Sequence, residues 1–169
     1  SFMTLSDQEL DTIKHYYISV DKRNRVELLL RFSNIPDFRG LCFFNSLSDL
    51  GATEERLQFN GASAVSLASD INVKFRKVIL EKFKNHEISL LLGTDLLARG
   101  IDIENLEVVI NFDIPRDREA YTHRAGRTGR MGNEGSVISL VTHPEDLKKL
   151  KKFAKVSELV LKNQELHEK

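Results

Sequence analysis

Tyr-Thr-His-Arg-Ala-Gly-Arg-Thr-Gly-Arg, residues 121–130, is the stretch from which the rest of this chain can be interpreted. In a helix successive side chains turn by about 100°, so His123, Arg127 and Arg130 would lie within roughly 60° of one another. The two glycines weaken a helix, which indicates that another group approaches the backbone closely. Guanidinium groups are planar donors that stay charged, and they suit phosphate. The stretch therefore predicts a helix face that binds phosphate, although a solvated basic face would show the same pattern.

The charge balance limits how the chain can meet a nucleic acid. Its 169 residues suffice for one domain with a substantial core, and its 25 basic residues equal its 25 acidic residues. Net charge therefore supplies no long-range attraction, and any nucleic-acid contact must come from a local patch. Between residues 114 and 131 five arginines face two acids, which makes this segment the obvious candidate.

The single cysteine, Cys42, lies in the apolar run 41–44 and is predicted to fill core space rather than to form a disulfide. It indicates a reducing compartment, and we expect the cytoplasm. No apolar run approaches the length of a membrane span, and no basic segment followed by an apolar one precedes the domain.

The chain begins with Ser1 rather than with methionine, so we interpret it as an excised domain. Residues 1–10 are then partly a tag remnant or linker, and residues 11–155 form the core of one domain. Residues 156–169 are expected to add an edge strand, followed by a polar, frayed tail.

Short apolar runs alternate with helix-period segments along the chain, which is typical of a parallel sheet covered by helices. We predict a three-layer α/β domain with a mostly parallel sheet of six or seven strands and helices on both faces. Strands are predicted at residues 15–20, 40–44, 64–67, 89–93, 108–112, 136–141 and, at the edge, 157–161. Helices are predicted at residues 25–32, 47–59, 73–84, 118–130 and 145–155.

Two segments carry a resemblance to a known family. His-Arg-Ala-Gly-Arg-Thr-Gly-Arg, residues 123–130, resembles the last sequence motif of the DEAD-box RNA helicases, and residues 94–102 resemble the motif that precedes it. They occur in the family's order and at about its spacing, and the similarity covers roughly residues 15–141. Related helicase families usually have glutamine where His123 stands. The resemblance implies the C-terminal RecA-like domain of a DEAD-box helicase, within helicase superfamily 2.

The sequence contains only part of an ATPase. It has no Gly-x-x-x-x-Gly-Lys-Ser/Thr, no Gly-Lys dipeptide and no Asp-Glu-Ala-Asp. The resemblance implies that a separate N-terminal RecA-like domain binds ATP and Mg²⁺, whereas Arg127 and Arg130 act as arginine fingers and His123 contacts that domain. It also implies that Gly100 and Asp102 lie against the nucleotide near its ribose. The isolated domain is then expected to be an inactive monomer, and the full-length protein an RNA-stimulated ATPase.

The resemblance further implies that the sugar-phosphate backbone of RNA, rather than its bases, contacts this domain. The side chains implied are Asn45, Ser46, Arg76, Thr94 and Arg99. Other roles stay open for most of them, because Asn45 or Ser46 is expected to cap a helix and Thr94 a short helix after its strand, while Arg76 would otherwise be an exposed helix residue.

The chain departs from the family before Arg76. Ala68, Ser69 and Val73 stand where the family usually has histidine, glycine and glutamine, so a hydrogen bond from that glutamine is not expected here.

Two residues are predicted to support the site, namely Asp95, as a second cap after its strand, and Arg124, as a brace for the loop at Asp102. Asp102 could alternatively serve only as an internal partner of Arg124.

Three questions stay open at this stage. A non-catalytic RNA-binding or partner-docking module with the same fold is the main alternative function, and a DNA-directed helicase is the other. The lysines of residues 145–155 fit a solvated helix face or an RNA-binding extension.

Overall fold

The computed structural model describes residues 12–67, 72–101, 103, 106–129 and 134–169, and within them the chain forms eight strands and five α-helices. The strands are β1 Lys14–Ser19, β2 Gly40–Phe44, β3 Ala64–Ser66, β4 Leu90–Thr94, β5 Val108–Asn111, β6 Ser136–Val141, β7 Ser157–Lys162 and β8 Glu165–Glu168. The helices are α1 Arg25–Ser33, α2 Leu47–Phe59, α3 Val73–Lys84, α4 Arg118–Ala125 and α5 Pro144–Lys151. The first six strands and first three helices lie within one residue of their predicted bounds.

The strands form one sheet in the order β3-β4-β2-β5-β6-β1-β7-β8. All neighbouring strands run parallel except β7 and β8, which are antiparallel. The predicted α/β class with a mostly parallel sheet is confirmed, with one strand more than the expected six or seven.

The additional strand comes from the C-terminal residues, which were wrongly predicted to be a frayed tail. Asn163 and Gln164 both have positive φ, 50° and 62°, as the two central residues of a tight hairpin turn require. The turn brings β8 beside β7, so Leu161 pairs with Leu166. Leu161 is buried, and its burial gives the hairpin an apolar anchor on the domain.

The predicted helix 145–155 is shorter than expected. It begins at Pro144, capped by His143 and Asp146 in a reciprocal capping box, and ends at Lys151. Phe153 continues the apolar pattern that suggested a longer helix, but it packs against Tyr121 from a turn after the helix end.

The core lies on both faces of the central strands. Every residue of β2 is buried, as are Leu90 to Gly93 of β4, which explains their unbroken apolar sequences. Cys42 is fully buried among them, and burial raises the pKa of its thiol above the ordinary value. It fills core space as predicted. None of the described helices is long and apolar enough to cross a membrane.

Substitution of Gly135 tests how tightly the chain before β6 is packed. A Cβ at Gly135 would press against the Gly129 backbone and the Thr128 hydroxyl, so Gly135→Ala is expected to destabilise the domain by about 1–3 kcal/mol. The control is Gly51→Ala in α2, where a Cβ meets nothing and alanine is expected to stabilise by up to about 1 kcal/mol. Urea unfolding measures both variants. Equal stability of the two would contradict the packing at Gly135.

Candidate active site and nucleic-acid interface

Arg124 joins the elements that surround the candidate site. Its side chain is fully buried, and all five N–H groups of its guanidinium donate hydrogen bonds. Nε and Nη2 form a bidentate pair with the Asp95 carboxylate at 2.8 and 2.9 Å. Nη2 also donates to Oδ1 of Asn45 at 2.6 Å. Nη1 donates to Oδ1 of Asn111 at 3.1 Å and to the Asp113 carbonyl at 3.0 Å.

This geometry corrects the predicted role of Arg124. The guanidinium has no N–H left for the loop at Asp102, which itself lies outside the described residues. Asp95 and Arg124 do support the site together, but through their own ion pair. Asp95 was expected to cap a helix, and it instead holds Arg124 with a carboxylate that is 43% exposed.

Asp113 is a second organising residue that sequence reasoning missed. Its Oδ1 accepts from Arg25 at 2.9 Å, and its Oδ2 accepts from the Asn45 backbone N–H at 2.8 Å. Arg25 is also buried and stacks its guanidinium 3.9 Å from the centre of the Phe112 ring. The acid directly after an apolar strand was the available signal, because polar groups at that position meet at one sheet edge.

Asn45 and Ser46 follow β2 and lie where they were predicted. Asn45 receives Arg124 and donates its side-chain amide to the Ile114 carbonyl at 3.0 Å, so it is held in one orientation. Ser46 caps α2, since its hydroxyl accepts from the Asp49 N–H at 3.2 Å. The capping role is thus observed, and Asn45 still exposes part of its surface.

The segment after β4 forms successive turns from Asp95 to Gly100, and not the short helix that was predicted. The Thr94 hydroxyl accepts from the Leu97 N–H at 3.2 Å, so Thr94 does cap the first turn. Gly100 has a φ of +77°, a conformation that L side chains rarely adopt. Arg99 and Gly100 are exposed.

Arg76 reaches this loop from α3. Its Nη2 donates to the Leu97 carbonyl, and its Nε is buried without a hydrogen-bond partner among the described residues. Arg76 is therefore half-buried against the loop rather than being a freely exposed helix residue.

The predicted helix 118–130 ends at Ala125. Gly126 caps it through an N–H bond to the Thr122 carbonyl at 2.9 Å. The chain then pairs with Leu106, whose N–H donates to the Arg127 carbonyl at 3.0 Å and whose carbonyl accepts from the Thr128 hydroxyl. The prediction that His123, Arg127 and Arg130 share one helix face is therefore wrong, because Arg127 follows the helix end.

Arg127 lies against the loop after β4. Its Nη1 donates to the Ile101 carbonyl at 2.6 Å and its Nη2 to the Ala98 carbonyl at 2.8 Å. It is half-buried, whereas His123 on α4 is exposed. Arg130 lies outside the described residues, like Asp102, so the structure places one of the two predicted fingers.

The other side of α4 is fixed by a buried pair. The Tyr121 hydroxyl lies 2.6 Å from Nδ1 of His15 on β1, and the two rings are in contact. Burial raises the pKa of Tyr121 above its ordinary value, so its hydroxyl keeps its proton. α4 is thus anchored to β1 by Tyr121 and to the ends of β2, β4 and β5 by Arg124.

Replacing Arg124 tests this network. Arg124→Lys keeps the charge but offers three donors from one atom, so buried Asn111 and its neighbours lose partners, and we expect a loss of about 3 kcal/mol in stability. The control is Arg31→Lys, which among the described residues alters one side-chain hydrogen bond, to the Leu161 carbonyl, and is expected to cost less than about 1 kcal/mol. Urea unfolding compares the two. A similar small loss in both would contradict a central role for Arg124.

Comparison with known proteins identifies the domain type. The family model described as "Helicase conserved C-terminal domain" matches residues 15–132. The chain is 41% identical over 150 residues to the probable ATP-dependent RNA helicase YfmL of Bacillus subtilis, covering 89% of this chain and 39% of that protein. It therefore spans about two fifths of the length of that relative.

Two solved structures share the fold. A DEAD box protein from the hyperthermophile Methanococcus jannaschii superposes with a TM-score of 0.75 at 32% identity, covering 89% of this chain and 42% of that one. S. cerevisiae Dbp5 bound to RNA and ADP BeF3 superposes with a TM-score of 0.77 at 25% identity, covering 88% and 41%. Family model, relatives and fold agree, and the chain belongs to the helicase C-terminal domain family as the C-terminal RecA-like domain of a DEAD-box RNA helicase.

Proposed function

We propose that this domain completes the active site of an ATP-dependent RNA helicase and binds the RNA backbone, while an N-terminal RecA-like domain holds ATP and Mg²⁺. The observation that carries the proposal is the Arg124 network, which ties Asn45, Asp95 and Asp113 into one rigid edge. The relative from B. subtilis is named a probable ATP-dependent RNA helicase, and the solved Dbp5 binds RNA and ADP BeF3.

The ATP side of the proposal rests on Arg127, Arg130 and His123. Phosphoryl transfer needs positive charge near the γ-phosphate, and an arginine finger supplied from outside the nucleotide site can be worth about 10³ to 10⁵ in rate. Arg127 is held at the loop that carries Gly100, so the guanidinium and the nucleotide-facing loop are positioned together. His123 is exposed on α4, where it is available to the N-terminal domain.

The RNA side rests on the edge formed after β2 and β4. Asn45 and Thr94 are fixed by hydrogen bonds at that edge, and Arg99 is exposed beside them. Arg76 adds a guanidinium whose buried Nε has no hydrogen-bond partner among the described residues. These groups suit phosphate and ribose oxygens, which give binding without sequence readout. Bending one RNA strand along this edge would separate a short duplex.

Alone, the domain is expected to hydrolyse no ATP, because it lacks a phosphate loop and the acidic motif.

Arginine variants in the two-domain protein test the ATP side. Arg127→Ala and Arg130→Ala are each expected to lower RNA-stimulated ATP turnover by about 10³-fold, with little change in ATP affinity. Steady-state kinetics measures turnover, and a fluorescent ATP analogue measures binding. The control is Arg116→Ala, an exposed arginine just before α4 that we expect to have no effect. Normal turnover in both finger variants would favour a non-catalytic RNA-binding or docking module.

Arg76→Ala tests the RNA side in the same protein. We expect weaker binding to single-stranded RNA and a salt slope reduced by about 0.7, as for one lost phosphate contact, with ATP affinity unchanged. Fluorescence anisotropy across a salt series gives both values. The control is Lys82→Ala, an exposed cation further along α3. An unchanged salt slope for Arg76→Ala, or an equal change in the control, would show that Arg76 does not contact an RNA phosphate.

A further inference from the structure

A second concave surface lies away from the proposed site. It is a cleft of about 730 Å³ at the amino ends of β1 and β7, closed on one side by the chain that follows α5. Its lining residues are Ile13 to Tyr16, Arg118, Lys151 to Lys155, Ser157 and Glu168. None of these residues was needed for the ATP or RNA contacts proposed above.

The cleft concentrates positive charge. Lys14, Arg118, Lys151, Lys152 and Lys155 line it, and Glu168 is the one acid among its described lining residues. In a chain of zero net charge, this is an excess of four positive charges at one concavity. Among the described residues, the four lysines form no ion pair with a carboxylate. Glu168 interacts with the Tyr16 hydroxyl instead. Burial, and then this carboxylate, raise the pKa of Tyr16 above its ordinary value.

Helix-end electrostatics do not account for this arrangement. Lysines in the last turn of α5 offset the negative end of its dipole, and Lys148 and Lys149 already do so outside the cleft. Lys14 and Lys155 belong to other segments, and they converge on the same concavity without contributing to that helix end. Solvated lysines repel one another, so a charge excess gathered from three segments favours a bound anion.

The floor of the cleft adds an aromatic group and a rigid support. Tyr16 is half-buried there, and the adjacent His15 is fixed by Tyr121. Flexible lysines around an aromatic ring are typical of surfaces that follow a phosphate backbone and stack a base. An acidic peptide offers no base to stack, so a nucleic acid fits these groups better.

We propose that this cleft is a second RNA-binding site, which holds the phosphates of a single-stranded segment through Lys14, Lys151, Lys152 and Lys155 with a base against Tyr16. The choice of RNA as the anion rests on the proposed function. The cleft lies at the amino ends of its strands, three strand positions from β2, whereas Asn45 and Thr94 follow carboxyl ends. Strand length and spacing put the two sites roughly 20 Å apart in a straight line through the sheet. One RNA strand that occupies both must follow a longer path over the surface.

Two adjacent lysine pairs at the end of α5 provide the test. Lys151→Gln with Lys152→Gln removes two charges from the cleft, and Lys148→Gln with Lys149→Gln removes two charges from exposed positions of α5 outside it. The probe is a fluorescein-labelled oligouridylate of about a dozen nucleotides. Anisotropy between about 50 and 200 mM salt is measured for the 169-residue chain, for each pair, and for Arg76→Ala alone and combined with each pair.

The cleft pair is expected to weaken binding about tenfold at the lowest salt and to reduce the salt slope by roughly 1.4, whereas the other pair changes neither by much. Crosslinking with 4-thiouridine RNA should modify Tyr16.

Equal effects of the two lysine pairs on RNA binding, or RNA binding that only Arg76→Ala weakens, would overturn the second site while leaving the proposed function standing. If only the substitutions at Lys151 and Lys152 weaken RNA binding, the result would support the cleft as an RNA site and count against an RNA contact at Arg76. Binding of polyglutamate with higher affinity than oligouridylate, lost in the cleft pair, would overturn RNA as the ligand.

Discussion

The hydrogen bonds of one buried guanidinium determine the arrangement of the candidate site. Arg124 contacts residues that follow β2, β4 and β5, and its planar, five-donor geometry fixes the angles between those contacts. Backbone carbonyls and amide oxygens alone could not connect these ends, since all of them are acceptors. A central cation with many donors is therefore the simplest way to join three strand ends at one point.

The desolvation penalty of this buried charge is offset, because its hydrogen-bond partners replace the water that the guanidinium loses. A buried ion is strongly destabilising when unpaired, and much less so when its geometry is good and every donor is satisfied. Arg124 has a bidentate carboxylate and three further acceptors, and the Phe43 ring lies 5.2 Å from its guanidinium carbon. Asp95 stays 43% exposed, so the ion pair keeps part of its hydration. The arrangement supplies rigidity at the cost of tolerance to substitution.

The strands and most helices could be predicted because each has a local signal. The apolar runs at β2 and β4 define buried strands, and caps such as Ser46 define helix starts. The end of α4 could not be predicted, because it depends on the pairing of Thr128 with Leu106, more than twenty residues earlier in the chain. The β7–β8 hairpin was missed because Asn163 and Gln164 are not a strong turn signal.

The site shows the same division between local and distant information. Asn45, Thr94 and Arg76 were predicted as site residues because they lie in motifs, and the structure places each at the edge or against the loop beside it. Asp113 and Asn111 were missed, since their importance comes from hydrogen bonds that they accept from distant residues, namely Arg25, Asn45 and Arg124. A single sequence indicates candidate residues, whereas their hydrogen-bond partners can be identified only when the topology of the fold is known.

The loop after β4 connects the residues proposed to contact RNA with those proposed to contact ATP. Arg76 donates to the Leu97 carbonyl and Arg127 to the Ala98 carbonyl, so two cations from α3 and from the chain after α4 hold adjacent peptide groups. Movement of either arginine toward a phosphate must change the hydrogen bonds of the same short loop. Contiguity of this kind does not by itself prove energetic coupling, which requires an element with two arrangements biased by both ligands. The loop can be biased by both arginines, because its Leu97, Ala98 and Ile101 carbonyls accept hydrogen bonds from guanidinium groups that phosphates would attract.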